Sequence, residues 1–285
     1  MPKEYEIEKQ KRYRHRHQKG KKHSKVILIG NPNVGKSVIF GLLTGKYVTV
    51  SNYPGTTVEV SYGNVSIEDK RFILIDSPGV NNLTPMSEDE KVTRDILIRE
   101  KAEAVVLVAD AKNLKRTIML LIQLAEMNLP CILDLNMEDE AKARGIEIDY
   151  QKLSSLLNIE VVGTIAPQKK GINTLKEAIL NPRQVSIKAA YNSVIEEYTD
   201  KISAILPDSN ISRRSIALMI LSGDESLKSW LMANLNSENI KKIEELRDEA
   251  QSKLKEPISS IINNARIKSA EEIVKTLSLF FLDIL

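Results

Sequence analysis

The stretch "KVILIGNPNVGKSVIFGLLTG", residues 25–45, decides how the rest of the chain is read. Apolar residues run into Gly30, a turn rich in Asn, Pro and Gly follows, and an apolar helical pattern starts after Gly35. Inside it, "GNPNVGKS" fits G-x-x-x-x-G-K-[ST] between a strand and a helix, the context this motif requires. Glycines at 30 and 35 permit backbone conformations and close approaches denied to other residues. Successive N–H groups then face one concavity, at the positive end of the following helix. Such a loop suits phosphate. Asn31, Pro32, Asn33, Val34, Gly35, Lys36, Ser37 and Val38 form the expected contact surface. Lys36 adds a full charge at the β/γ-phosphates, and Ser37 offers a hydroxyl to Mg²⁺.

Three further motifs follow in order. "DSPG" (76–79) closes a strand. Asp76 is placed to hold Mg²⁺ through water, and Gly79 to bring a backbone N–H to a γ-phosphate. "SNYPGTTVEV" (51–60) lies between the phosphate loop and Asp76. A threonine there should reach Mg²⁺ when a γ-phosphate is present, as in a GTPase switch, and Thr56 and Thr57 both qualify on spacing. "LNMED" (134–139 with its preceding Asp) sets Asn136 and Asp139 at N-x-x-D spacing, with Met137 between them. A carboxylate at 139 accepts both N1–H and the N2 amino group of guanine. Adenine has an acceptor at N1 and no N2 amine, so it leaves the charge unpaired. Asn136 is expected to tie this base loop to the phosphate loop. "GTIAPQKKG" follows the next strand, and the backbone at Thr164, Ile165 and Ala166 is the expected contact to the guanine oxygen.

Around these motifs the pattern alternates. Strand-like runs occur at 26–30, 58–67, 71–76, 104–110, 131–136 and 161–166, with helical periodicity at 37–45, 90–101, 114–128 and 172–180. This predicts an α/β fold, a P-loop GTPase domain with a mostly parallel central sheet covered on both faces. From 183 to 285 no strand is evident, and helical patterns break at Pro207, Gly223 and Pro257. The expected organisation is a basic leader (1–24), a nucleotide-binding domain (25–182) and a small all-α domain (183–285).

Composition limits the alternatives. The chain has 285 residues, 42% hydrophobic and 28% charged, enough core for one large domain or two ordinary ones. The single cysteine, Cys131, lies in an apolar run, so no internal disulfide framework exists and a reducing compartment is expected. No segment reaches the roughly 20 apolar residues of a membrane span, and no apolar secretory core opens the chain. Residues 277–285, "LSLFFLDIL", read either as the end of a core helix or as the approach to a membrane segment. Residues 1–25 carry ten Lys or Arg against three Glu, whereas the remainder carries 31 against 35. The leader suits an anionic lipid surface or nucleic acid, or is a disordered, solvated tail. His15 and His17 lack a nearby Cys or carboxylate that would complete a metal site.

The motifs together resemble a small GTP-binding protein of the translation-factor-like class. "GNPNVGKS", "NYPGTTVE", "DSPGV", "LVADAKNLKRTIMLLIQLAEMNLPCILDLNMED" and "KGINTLKEAI" are more closely similar to the cytosolic G domain of the ferrous iron transport protein B family. "RRSIALMILSGDESL" (213–227) resembles the helical domain that follows it in that family. The resemblance implies that Thr57, rather than Thr56, is the switch threonine. It implies that Asn33 ligates K⁺, giving a catalytic set of Lys36, Asn33, Thr57 and Gly79 and a metal set of Ser37, Thr57 and Asp76 for Mg²⁺. It implies GTP and GDP as ligands, slow Mg²⁺-dependent hydrolysis raised by K⁺, and a membrane-embedded iron permease as partner. The expected location is the cytoplasmic face of the cell membrane, with this chain itself soluble. Self-association through the G domain is a further expectation, and no nucleic acid is expected. Val80 stands where a water-orienting glutamine would, which fits G proteins with a hydrophobic residue there. Three positions depart from the family pattern: Val38 after Ser37, Ser77, and Ala166 in place of a serine.

Two other readings compete. A ribosome-assembly GTPase draws on the basic leader, but residues 183–285 show no RNA-binding signature. A nucleotide-binding module without catalysis sits poorly with Lys36, Ser37, Thr57 and Asp76 all being present.

Overall fold

The computed structural model describes residues 24–45 and 48–279. Residues 1–23 of the basic leader, His15 and His17 included, lie outside the described residues, as do positions 46–47 and 280–285. Among the described residues, eight strands build one sheet: β1 (Ser24–Gly30), β2 (Val48–Asn52), β3 (Glu59–Ile67), β4 (Lys70–Asp76), β5 (Ala102–Asp110), β6 (Pro130–Asn136), β7 (Glu160–Gly163) and β8 (Arg183–Gln184). Their order is β2-β3-β4-β1-β5-β6-β7, and β8 pairs with the start of β6. The central pairs, β4 with β1, β1 with β5, β5 with β6 and β6 with β7, are all parallel. β3 runs antiparallel to β4, and β2 to β3.

The connecting helices are α1 (Lys36–Thr44), α2 (Glu88–Arg99), α3 (Leu114–Glu126), α4 (Glu138–Ala143), α5 (Tyr150–Leu157) and α6 (Ile172–Ile179). Alternate residues of β1 enter opposite cores, as the two-residue period of a strand dictates. Val26 and Leu28 pack with Ile39 and Phe40 of α1 and Leu175 of α6. Ile27 and Ile29 pack with Ile96 of α2 and Leu121 of α3. With both faces covered, an uninterrupted apolar strand is what this position requires.

The remaining helices are α7 (Ser193–Ile205), α8 (Arg213–Leu221), α9 (Lys228–Asn234), α10 (Ser237–Ser252) and α11 (Ile258–Leu279). Side-chain caps start three of them. Asn192, Ser212 and Asn236 each accept a backbone N–H three residues on. Gly223 follows α8 at φ 81, a left-handed position that favours glycine. This helical part docks on α2 and α3, and Ile195, Ile216 and Ile262 join the core already begun by Ile96 and Leu121. Buried polar contacts fix the docking. Arg266 Nη2 donates to Glu126 Oε2 at 2.7 Å, and Tyr191 donates to the same carboxylate.

Several expectations are corrected. β2 was not anticipated: all five of its residues are exposed, so no apolar run marks it. The run at 161–166 is strand only to Gly163, because Ala166–Gln168 turns into a short 3₁₀ segment. A strand does occur after residue 182, since β8 closes onto Cys131 and Pro130 of β6. α4 and α5 had no predicted counterpart.

Candidate nucleotide site

The motif residues gather where β1, β4 and β6 end and their following loops begin, the edge at which parallel α/β sheets hold ligands. The loop after β1 turns sharply. Asn33 has φ 65 and Gly35 φ 85, both left-handed. At Gly35 a β-carbon would stand 2.3 Å from Asn136 Nδ2, so only glycine fits between the two loops. Gly30 meets a different limit, because a β-carbon there would lie 2.2 Å from the carbonyl oxygen of Val108 on β5. Pro32 and Asn33 are exposed at the tip, while Val34 is buried and anchors the loop in the core.

Lys36 and Ser37 open α1 and converge on Asp76 at the end of β4. Lys36 Nζ contacts Asp76 Oδ1 and the Ser77 carbonyl oxygen. Ser37 Oγ donates to Asp76 Oδ2 at 2.9 Å. A hydroxyl and a carboxylate side by side are hard oxygen donors of the kind Mg²⁺ takes in one or two copies, filling its other positions from phosphate and water. The residues present therefore fit that ion. Among the described residues no group of three or more His, Cys, Asp or Glu side chains is placed to hold a metal alone. Val38, next on α1, is half exposed and adds no polar group.

The segment after Asp76 lies against the phosphate loop. Gly79 faces Pro32, with the nearest Pro32 atoms 3.1 Å from where a β-carbon would stand. Val80 N donates to Gly30 O at 2.9 Å. Asn31 Nδ2 donates to Val80 O at 2.9 Å and to Asn81 Oδ1 at 3.2 Å. The Val80 side chain is fully buried. Val80 therefore offers neither a polar group nor exposed surface beside the phosphate loop.

In the 51–60 segment the two threonines separate clearly. Thr56 Oγ1 donates to Tyr53 O at 3.0 Å and accepts from Val58 N at 3.2 Å, so it is spent on the local turn. Thr57 is exposed and holds none of these bonds.

The base loops form the other half of the site. Asn136, 2% exposed, donates from Nδ2 to Val34 O at 2.9 Å, joining the two loops. Its Oδ1 accepts from Ala166 N and from Thr164 Oγ1, both at 3.1 Å. A guanine oxygen at Ala166 would therefore share that N–H as a three-centre bond. Met137 has φ 63 and turns the chain into α4, leaving Asp139 exposed in the first turn. Thr164 is fully buried and Ile165 nearly so, which confines any ligand contact there to backbone.

Asn31, expected in the phosphate-loop contact surface, also braces the 76–80 segment through its side chain. Two participants escaped sequence reasoning. Lys112 reaches the base loop, with Nζ 3.6 Å from Met137 Sδ and in contact with Glu140. Its hydrogen bond to Glu140 raises its pKa. Asp134 lies wholly buried two residues before Asn136, and burial pushes its carboxyl up to about 7 against the opposing hydrogen bond from Thr164. The D-L-N sequence was visible, but a charged residue inside a strand carries no signal of its own.

Comparison with known proteins agrees with this geometry. The sequence profile of "Ferrous iron transport protein B" matches residues 24–179, and that of the "FeoB cytosolic helical domain" matches residues 191–277. The Fe(2+) transporter FeoB of Staphylococcus aureus (strain N315) is 36% identical over 230 residues, covering 78% of this chain and 34% of the relative. The chain thus spans about a third of the length of that relative. A mutant of S. thermophilus NFeoB bound to GDP superposes with TM-score 0.76 at 30% identity, covering 89% of this chain and 99% of that one. A mutant of S. thermophilus NFeoB bound to GDP and AlF4⁻ superposes with TM-score 0.73 at 30% identity, covering 88% and 99%. The helical match removes support from the ribosome-assembly reading. The chain belongs to the ferrous iron transport protein B family and comprises its cytosolic G domain and helical domain.

Proposed function

We propose that this chain binds GTP with Mg²⁺, hydrolyses it slowly to GDP with stimulation by K⁺, and acts as the nucleotide-controlled switch of a ferrous iron transporter. The convergence of Lys36 and Ser37 on Asp76, with Asn136 holding the base loop to Val34, carries this reading. The two halves that grip the ends of a nucleotide are held at fixed separation. Asp139 selects guanine by accepting from N1–H and N2. Lys36 and the loop N–H groups hold the β/γ-phosphates. Ser37, Thr57 and Asp76 would hold Mg²⁺ and Asn33 would hold K⁺, and the bound ions would supply positive charge to the phosphate oxygens. Because Val80 is buried, the attacking water is oriented by backbone groups at Gly79 and around Thr57.

The G domain extends through β8, and the helical domain begins near α7. α2 links the two. Thr93 Oγ1 donates to Pro78 O at 3.0 Å, while the next residue, Arg94, pairs with Asp224 beyond α8. A shift of the 76–80 segment is thereby passed to the helical domain and onward to the membrane part of the transporter. Among the described residues no helix is long and apolar enough to cross a membrane.

The test is phosphate release at fixed Mg²⁺ in KCl and in NaCl at equal ionic strength. Stimulation specific to K⁺, lost in Asn33→Ala with GDP binding retained, is expected. Equal rates in the two salts would remove the K⁺ role.

A further inference from the structure

Asp134 occupies an unusual place for a carboxylate. It lies in β6 between Val108 of β5 and Val162 of β7, and shares the face of Ile132, against which α1 and α6 present Ile39, Ile172 and Leu175. It is fully buried and forms no ion pair among the described residues. Among the described residues Oδ2 has no hydrogen-bond partner. The titratable groups around it give no counter-charge. Tyr150 on α5 is kept protonated by burial and by the Glu138 carboxylate beside it, and Lys36 on α1 is turned to Asp76. An unpaired charge in such a place is costly, and the usual outcome is neutralisation.

Counting hydrogens points the same way. Thr164 Oγ1 stands 2.7 Å from Asp134 Oδ1 and 3.1 Å from Asn136 Oδ1. The hydroxyl has one hydrogen, and the Asn136 oxygen can only accept. If Asp134 is ionised, both neighbours of the hydroxyl are acceptors and one contact is left without a hydrogen. If Asp134 is protonated, its O–H donates to Thr164, Thr164 donates to Asn136 Oδ1, and Asn136 Nδ2 donates to Val34 O. Every contact then holds one hydrogen, and the chain ends on the phosphate loop.

We infer that Asp134 is a positioning residue for guanine-nucleotide binding that works in its protonated form, orienting Thr164 so that Asn136 locks the base loop to the phosphate loop. The inference rests on the nucleotide-binding reading above. Since burial brings this carboxyl to about 7, its two forms exchange near neutral pH. If the bound state requires the neutral acid, affinity falls as pH rises, by about tenfold from pH 6 to pH 8.

Equilibrium binding of fluorescent mant-GDP with Mg²⁺, from pH 6 to pH 8.5, tests this on the unmodified chain and on Asp134→Asn. The amide keeps a donor toward Thr164 and cannot ionise. Asp134→Asn is expected to bind as the unmodified chain does at pH 6 and to lose the difference between pH 6 and pH 8. Titration of the nucleotide itself is common to both proteins and cancels. Parallel profiles would overturn the inference, whereas no mant-GDP binding by either protein would overturn the nucleotide reading instead. Should Asp134→Asn fail to fold, the carboxyl carbon shift of Asp134 in the unmodified, GDP-loaded chain decides. A protonated acid at pH 6 supports the role, and a carboxylate there rejects it.

Discussion

Arg94 offers the sharpest structural test, because nothing about its place in the chain marks it as buried. It sits in the middle of α2 and has no exposed surface. Its guanidinium pairs with Asp224, donates from Nη2 to Ser226 Oγ at 2.7 Å, and from Nε to Asp95 Oδ1 at 2.9 Å. The Asp224 side chain is 2% exposed. Arg94→Met keeps much of the volume and removes the charge, leaving Asp224 buried without a cation. Breaking a buried pair from one side costs about 3–5 kcal/mol. Against a typical total of about 5–15 kcal/mol, that is a large fraction. For a chain of this size it corresponds to a melting temperature lower by roughly 5–8 °C. Arg94→Met/Asp224→Leu removes both charges, and an apolar replacement of a buried pair is commonly close to neutral. The double variant should therefore recover most of the loss. Calorimetry on the two single variants and the double variant closes the cycle. A loss under about 1 kcal/mol for Arg94→Met, or a double variant no better than the single, would refute the reasoning.

Other outcomes follow from the site. Asp139→Asn should weaken GDP binding by at least about a hundredfold, as expected for a lost charged hydrogen-bonding partner, and favour xanthosine diphosphate, whose C2 carbonyl suits the amide donor. Competition binding with the two diphosphates reads this directly. Gly35→Ala should abolish nucleotide binding, since it adds strain at φ 85 and a β-carbon 2.3 Å from Asn136 Nδ2. Calorimetric titration with GDP checks it. Asp134 also makes stability depend on pH. Its folded pKa of about 7 lies above the ordinary carboxyl value, so between the two the native state holds the extra proton and stability falls as pH rises. Integrated from pH 5.5 to pH 8, the loss is about 2 kcal/mol. Urea unfolding of the nucleotide-free chain should show it, and Asp134→Asn should remove it.

The phosphate loop was legible because its constraints are local. A glycine squeezed between loops, a lysine and a serine at a helix start and an apolar strand before them leave traces in adjacent residues. The same holds for the β–α alternation, since strands covered on both faces must be apolar throughout. What escaped depends on distant partners. β2 is an exposed edge strand that gains its structure from pairing with β3. β8 exists through two residues of contact with β6. α5 begins at an Asp149 cap, but Ser154 and Ser155 dilute its apolar stripe. Arg94 and Glu126 are charges inside helical patterns, and their buried partners, Asp224 and Arg266, lie far along the chain in the helical part. Spacing alone left Thr56 and Thr57 open, the family resemblance chose Thr57, and the turn that occupies the Thr56 hydroxyl depends on backbone geometry that spacing does not carry.

The central claim is that the loop at residues 30–37 and the Asn136–Asp139 pair make this chain a guanine-nucleotide hydrolase. Phosphate release from GTP and from ATP, measured with Mg²⁺ and KCl on the unmodified chain and on Lys36→Ala, tests it most directly. Release from GTP, with neither release from ATP nor activity in Lys36→Ala, is the predicted result. ATP turned over as fast as GTP, or Lys36→Ala as active as the unmodified chain, would contradict it.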